Sequence, residues 1–254
     1  MEFVEFEAAR ERAGLRLVVV PRVPSPWGEA AKGLLHVKKI PFVAVRLDLG
    51  NAELRDWIGQ ASAPVAIYEN EAPRGGWAEI LLLCERLAPQ PRLLPESAED
   101  RALCFGLCHE ICGEMGLGWC RRLTGVAAGL EGRGGFAPPV ARYLGDKYGY
   151  REGIGAELGR RVGELLGMLS ARLKAQGQQG SGYYIGDALT AVDVYSATFM
   201  ALLQPLPPEQ CPMPEPLRAA FGNLDQATQQ ALDPILLEHR DRIYAEHLAL
   251  PLSL

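Results

Sequence analysis

Leu15-Arg16-Leu17-Val18-Val19-Val20, followed after three residues by Pro24-Ser25-Pro26-Trp27, is the stretch whose reading decides the fold. The first half is a continuous run rich in β-branched residues, the pattern of a strand buried on both faces. The second half is a loop bracketed by prolines. From Trp27 onward, Ala30, Ala31, Leu34, Leu35 and Val37 fall on one face of a helix. It ends near Lys38-Lys39, where cations suit the C-terminal dipole. Phe42 to Leu49 reads as the next strand, so the segment is a strand–helix–strand unit, right-handed with parallel strands. Ser25 stands where such a turn delivers a side chain to a helix N-terminus. The unpaired N–H groups and positive dipole end there favour an anion such as a thiolate. The plainer role for the same residue is an N-cap, at which serine is among the best residues, and the two roles are compatible.

Upstream, Met1 to Gly14 is polar and charged and reads as a lead-in. Downstream, Glu53 to Ile58 suits a short helix, and Pro64 to Glu69 alternates as a third strand, turned back at Glu69-Asn70-Glu71. Ala72 to Gly75 allows a short fourth strand, and Trp77 to Leu87 is a strongly apolar helix stopped before Pro89 and Pro91. Beyond Pro95 the pattern changes. Ser97 to Cys120, Tyr150 to Gln176, Leu189 to Leu203 and Leu224 to Leu250 all favour helices. The spacing of Ile154, Leu158, Val162, Leu165, Leu169 and Leu173 is the clearest case. Gly129 to Pro139, Gly177 to Gly182 and Pro205 to Pro216 act as breakers, and no internal repeat is present. The pattern predicts a small α/β domain over residues 1–90 followed by an all-α domain over residues 96–254.

Composition narrows the functional classes. The 254 residues carry 26 Lys and Arg against 31 Asp and Glu, a formal charge of -5, with no dense basic run. This argues against nucleic acid as a partner. No apolar run reaches the roughly 18 residues of a membrane span, and Glu2, Glu5 and Glu7 are unlike the basic start of a secretory signal. Six cysteines without a CxxC pair accord with a reducing compartment, so a cytoplasmic protein is expected.

Three segments carry a family resemblance. Lys38-Lys39-Ile40-Pro41-Phe42 is similar to the helix-to-strand phrase of the glutathione transferases, usually Lys-Gly-Ile-Pro-Tyr. Leu83-Cys84-Glu85-Arg86 through Pro89, with Leu93-Leu94-Pro95, resembles their interdomain linker. Tyr184-Ile185-Gly186-Asp187-Ala188-Leu189-Thr190-Ala191-Val192-Asp193 resembles the signature of their helical domain. The last has a physical basis of its own: Thr190 and Asp193 form a capping box, and Leu189 and Val194 a hydrophobic staple, which together fix a helix start. The resemblance implies a thioredoxin-like α/β domain followed by a helical domain.

It also gives the loop a ligand, glutathione as co-substrate. In that family the residue at this turn is Tyr, Ser or Cys by class, and Ser25-Pro26 before an aromatic, here Trp27, is similar to some Ser-type classes. A serine hydroxyl donates one hydrogen bond to a thiolate, lowering the thiol pKa and raising the nucleophilic fraction near neutral pH. Because position 25 is not Cys, mixed-disulfide chemistry is disfavoured. Pro64 corresponds to a cis-proline that exposes the Ala63 backbone to the cysteinyl part of glutathione, where an edge-strand proline is the plainer alternative.

One position departs from the pattern. Counting back from Leu83, Cys84 and Glu85, the family's acidic-Ser pair, which anchors the γ-glutamyl group, falls on Gly76-Trp77. Aligning Glu79-Ile80 there recovers one acid but demands a four-residue insertion. Losing two charge-assisted hydrogen bonds costs on the order of 2 to 5 kcal/mol unless they are replaced. Arg74 is a candidate replacement, the Gly76 N–H a second, and Trp77 a candidate aromatic wall or a packing residue. On the helical side, Glu110, Trp119, Arg121 and Arg122 are candidate substrate-facing residues, with solvated or interdomain roles as the alternative. Cys104, Cys108 and Cys112 stack at helical spacing and read as core with no metal, and His36, His239 and His247 have no recognisable partner. Two functions are therefore expected in competition. One is a glutathione transferase-like enzyme joining glutathione to a small electrophile; the other is a non-catalytic ligand-binding or stress-related protein on the same fold. The resemblance implies a homodimer.

Overall fold

The computed structural model describes residues 1–254. Its first layer is a four-stranded sheet in the spatial order β1 (Glu2–Phe3), β3 (Phe42–Arg46), β2 (Leu15–Val19), β4 (Val65–Tyr68). The central strand runs parallel to β3, Leu15 opposite Phe42, and antiparallel to β4, Leu15 opposite Tyr68. Its side chains alternate, with Leu15, Leu17 and Val19 entering one core and Val18 the other. Arg16, 3% exposed, interrupts the apolar run. Its guanidinium donates to the carbonyls of Gly14 at 2.8 Å and Glu69 at 2.7 Å, tying the start of β2 to the end of β4.

Helices α1 (Phe6–Glu11) and α3 (Ala52–Ile58) cover one face of the sheet through Phe6, Ala9, Leu54 and Ile58. Residues 1–14 are thus part of the fold and not a lead-in. Only Phe6 and Ala9 are buried in α1, too few to register as a periodicity. Helices α2 (Pro26–Val37) and α4 (Trp77–Leu87) cover the other face. Strand β3 stops at Arg46, short of Leu49, because the chain turns where the Asp48 carboxylate takes the Gly50 N–H at 2.8 Å. The expected fourth strand at Ala72–Gly75 is a single bridge between Ala66 and Arg74, since Pro73 has no N–H to extend a ladder.

Everything beyond Leu87 is helical: α5 (Ala98–Cys112), α6 (Leu117–Leu130), α7 (Pro138–Tyr148), α8 (Gly155–Gln178), α9 (Ala191–Phe199) with a 3₁₀ turn at Met200–Leu202, α10 (Glu215–Gly222), α11 (Gln226–Ala231) and α12 (Pro234–His247). The segment expected as one helix from Ser97 to Cys120 is two. At the break, a Cβ on Gly116 would lie 2.7 Å from the His109 carbonyl oxygen, so the crossing admits only glycine. Prolines read as breakers turn out to stand at helix starts: α7 begins on Pro138, α10 has Pro214 at its cap and Pro216 in its first turn, and Pro234 splits the expected 224–250 helix to open α12.

Helix α9 is buried along its whole length, Asp193 included. The Asp193 carboxylate accepts the Thr190 N–H at 2.8 Å, the Thr190 hydroxyl at 2.9 Å and the Tyr184 N–H at 3.0 Å. It meets His239 Nε2 of α12 at 2.9 Å. The acidic half of the capping box is therefore present, while the Thr190 hydroxyl turns to the carboxylate. His239 and His247 both have partners, the latter the Tyr183 hydroxyl at 3.1 Å, which corrects the expectation for these residues.

The linker is equally tied. The buried Lys38 ammonium pairs with Glu85 and donates to the Ala88 carbonyl at 2.9 Å. Glu85 also accepts the Leu93 N–H at 3.0 Å, and the Leu93 carbonyl accepts the Ala191 N–H at 2.8 Å. A single hydrophobic core consequently runs from Leu15 through α9 to Leu252. Asp193→Asn, which removes the charge while leaving the shape, is expected to lower unfolding free energy by about 3 kcal/mol, measured as a fall in the denaturant midpoint. An unchanged midpoint would show that the carboxylate is not needed as an ion.

Candidate active site

Ser25 is the N-cap residue of α2, 8% exposed, with extended backbone angles (φ -64°, ψ 119°). Its carbonyl accepts the Glu29 N–H at 2.8 Å, as a cap should, yet its hydroxyl makes no capping bond. Pro26 has no N–H, so the first free donors of the helix belong to Trp27 and Gly28. The serine hydroxyl and this helix start are thus left available to a ligand.

Trp27 is held tightly. Its Nε1–H donates to the Cys112 carbonyl at the end of α5 at 2.9 Å, and its ring meets Phe199 edge-on at 4.8 Å. Gly118 of α6 is essential to that packing, since a Cβ there would lie 2.4 Å from the Phe199 ring and 3.2 Å from Trp27. The half-buried indole anchors the Ser25 loop to the helical part of the chain.

The Ala63–Pro64 bond is cis and directly precedes β4. At the other expected corner, Gly76 caps α4, but its N–H is already satisfied by the Glu79 carboxylate at 2.9 Å. In this arrangement the Gly76 N–H already has an acceptor. Trp77 packs its ring edge-on against Tyr195 at 5.8 Å, and its carbonyl accepts the Tyr195 hydroxyl at 2.9 Å. It is a packing residue between α4 and α9. Arg74 is likewise engaged, bound to Glu71 at 2.6 Å, and Arg86 shares that carboxylate at 2.6 Å. Hydrogen bonds from Arg86 and then Arg74 hold the Glu71 carboxyl below the usual carboxylate range. The Glu71 carboxylate thus ties the segment before α4 to Arg86 in the last turn of that helix.

On the helical side, Glu110 is ion-paired with Arg161 of α8. Trp119 is half-buried and stacks edge-on with Tyr148 at 4.7 Å. Arg121 is structural: it donates to the carbonyls of Leu202 at 3.0 Å, Phe221 at 3.0 Å and Asn223 at 2.8 Å. Arg122 points into the same helical layer, with rings around it and no such partners.

Two cavities of ligand size lie away from the Ser25 loop. One of about 440 Å³ sits between α2 and the C-terminal segment, lined by Lys32, His36, Phe42, Tyr244 and Leu252. Another of about 550 Å³ lies around Gln204, Leu232 and Asp241. Neither gathers a nucleophile with a donor set, so volume alone does not mark the reactive centre. No group of three or more His, Cys, Asp or Glu side chains is arranged to hold a metal ion, and no helix is long and apolar enough to cross a membrane.

No protein-family model and no curated protein sequence matches the chain. Solved structures do. A glutathione transferase family member from Pseudomonas fluorescens with two glutathione bound superposes at TM-score 0.62 and 14% identity, over 92% of this chain and 89% of that one. A glutathione S-transferase from Methylobacterium radiotolerans in complex with glutathione sulfonate gives 0.59 and 18%, over 94% and 97%. A rice glutathione transferase in complex with glutathione gives 0.58 and 19%, over 95% and 94%. The class defined in this way is the glutathione transferase fold, a thioredoxin-like α/β part followed by an all-α part.

All six cysteines are free and buried. Burial pushes the Cys84 thiol up to about 12 and Cys120 to about 11, and raises Cys108 and Cys112 as well. Cys104 moves down through its hydrogen bond with Cys108, but it has no exposed surface. A disulfide reagent is therefore expected to modify the native protein slowly and all six thiols only after denaturation. A fast-reacting thiol in the native state would bring thiol–disulfide chemistry back into consideration.

Proposed function

We propose that the Ser25 loop binds glutathione and that Ser25 stabilises its thiolate for attack on a small electrophile. The carrying observation is the Ser25 hydroxyl, held at the cap of α2 with no capping bond, in a chain of glutathione transferase fold. The hydroxyl would donate to the sulfur, and the N–H groups of the first α2 turn would add to the field that favours the anion. Thiol deprotonation releases its proton to solvent, the sulfur lone pair forms the new bond to carbon, and the leaving group departs with its electron pair. Ala63, directly before Pro64 and β4, would make a main-chain contact to the cysteinyl part of the ligand, and the bound glutathione of structures of the same fold supports the choice of ligand. In this reading residues 1–90 form the glutathione-binding unit and residues 96–254 supply the second-substrate side. The working form is a homodimer in the cytoplasm, a setting with which six free buried thiols accord.

A second reading, a ligand-binding protein without catalysis, is favoured by one observation. The γ-glutamyl corner at Gly76-Trp77 has no acidic-Ser pair, and both local substitutes are engaged, the Gly76 N–H with Glu79 and Arg74 with Glu71.

Calorimetric titration with glutathione, with the ultraviolet absorbance of the bound thiolate followed against pH, separates the readings. Under the first, glutathione binds and Ser25→Ala raises the apparent thiol pKa by about one unit, with a roughly tenfold loss of conjugation rate at neutral pH. No binding at millimolar glutathione removes the first reading. Binding that weakens on Ser25→Ala, together with turnover of a test electrophile, removes the second.

A further inference from the structure

Four arginines are buried: Arg16, Arg121, Arg122 and Arg240. Three of them are hydrogen-bonded: Arg16 to two carbonyls, Arg121 to three carbonyls and a hydroxyl, Arg240 to the Gln204 carbonyl and Asp241. Arg122, 8% exposed, has none. Its Nε is sealed from solvent without a partner, while the two terminal nitrogens, equally unpartnered, are not sealed. Around the guanidinium stand Trp27 at 5.7 Å, Phe136 at 5.8 Å, Tyr148 at 5.9 Å and Phe221 at 5.9 Å. These distances are at the outer edge of useful cation–π range, about 6 Å, so the rings enclose the charge more than they compensate it. Phe136 and Phe221 are buried, while Trp27 and Tyr148 are half-exposed. A second cation, Lys147, lies over Tyr148 at 5.6 Å from the ring. Burial lowers its pKa first, and the Arg122 charge lowers it further.

A guanidinium stays charged at any physiological pH, and a desolvated, unpaired charge is strongly unfavourable unless an anion arrives. We propose that Arg122 and the rings around it form a binding site for a ligand with one carboxylate on an aromatic or apolar body. The planar fork of the guanidinium matches a carboxylate bidentately, and Trp27, Tyr148 and the adjoining Trp119 supply surface for the rest of the molecule. A single guanidinium with its two terminal nitrogens unpartnered suits a monoanion. Trp27 lies two residues from Ser25, so under the glutathione reading this ligand is the second substrate. That assignment rests on the reading above, whereas the anion site itself stands on Arg122.

Titration of the full chain with benzoate, followed by tryptophan emission and thermal unfolding, tests the site against its neutral isostere, benzamide. Benzoate is expected to bind saturably, with benzamide at least about tenfold weaker. Arg122→Met is expected to lose that preference, and Arg122→Lys to keep part of it, having charge without the fork. Equal affinity for the two probes, unchanged benzoate affinity in Arg122→Met, inorganic phosphate binding as tightly as benzoate, or no benzoate binding at millimolar concentration each overturns the proposal. If Arg122→Met does not fold, the benzoate–benzamide preference of the wild type and its change in Arg122→Lys decide. Glutathione titrated in parallel keeps the two proposals apart. Benzoate recognition without glutathione binding removes the Ser25 reading alone, and the reverse removes the anion site alone.

Discussion

A carboxylate with no exposed surface is tolerable only where its oxygens are satisfied, and Asp193 meets that condition with partners from three different segments. Thr190 fixes the start of α9, Tyr184 fixes the turn before it, and His239 fixes α12 against it. Tyr184 extends the arrangement, its hydroxyl bonded to Ser196 at 2.9 Å and its ring edge-on to His239 at 4.9 Å. Because α9 packs against α2, α5 and α12 together, the orientation of this one helix sets the frame in which the Ser25 loop is presented.

That frame explains why the candidate site is shaped by both parts of the chain. The loop residue Trp27 reaches the last carbonyl of α5, and Trp77 at the α4 start is bonded to Tyr195 of α9. Neither tryptophan is free to adapt to a ligand as a loop residue would. The rigidity fixes an indole whose ring lies 5.7 Å from the Arg122 guanidinium and whose residue stands two positions from Ser25 in the chain. Residues expected to contact ligand at the α4 end, Gly76 and Arg74, spend their polar groups on Glu79 and Glu71.

The parts of the fold that were legible in the sequence are those in which local periodicity and burial coincide. Strand β2, helix α2 and helix α4 each bury a regular face, and α4 spans Trp77–Leu87 as its pattern predicts. Asp193 was legible because capping is a local chemistry of three residues. What escaped was decided by contacts far along the chain. Helix α1 has two buried residues and exists because the sheet needs a cover, and α7 and α10 start at prolines that look like stops without their surroundings. At the site, the cap position of Ser25 follows from the sequence, but the idle hydroxyl does not. The isolation of Arg122 beside the fully bonded Arg121 is invisible in an Arg-Arg dipeptide, because it depends on where the carbonyls of 202, 221 and 223 fall.

The C-terminal segment closes the molecule at its oldest element. Leu248 presses on α2 at Gly33, where a Cβ would lie 3.1 Å from Leu248 and 3.2 Å from Val194, and the Lys32 ammonium donates to the Ser253 carbonyl at 2.7 Å. Residues that leave the ribosome early are therefore sealed by residues that leave it late. During vectorial synthesis the sheet and α2 wait with one apolar face uncovered, and the closing contacts span more than two hundred residues of chain. Contacts of such separation carry a large loop-closure cost and form only once the chain between them has been made.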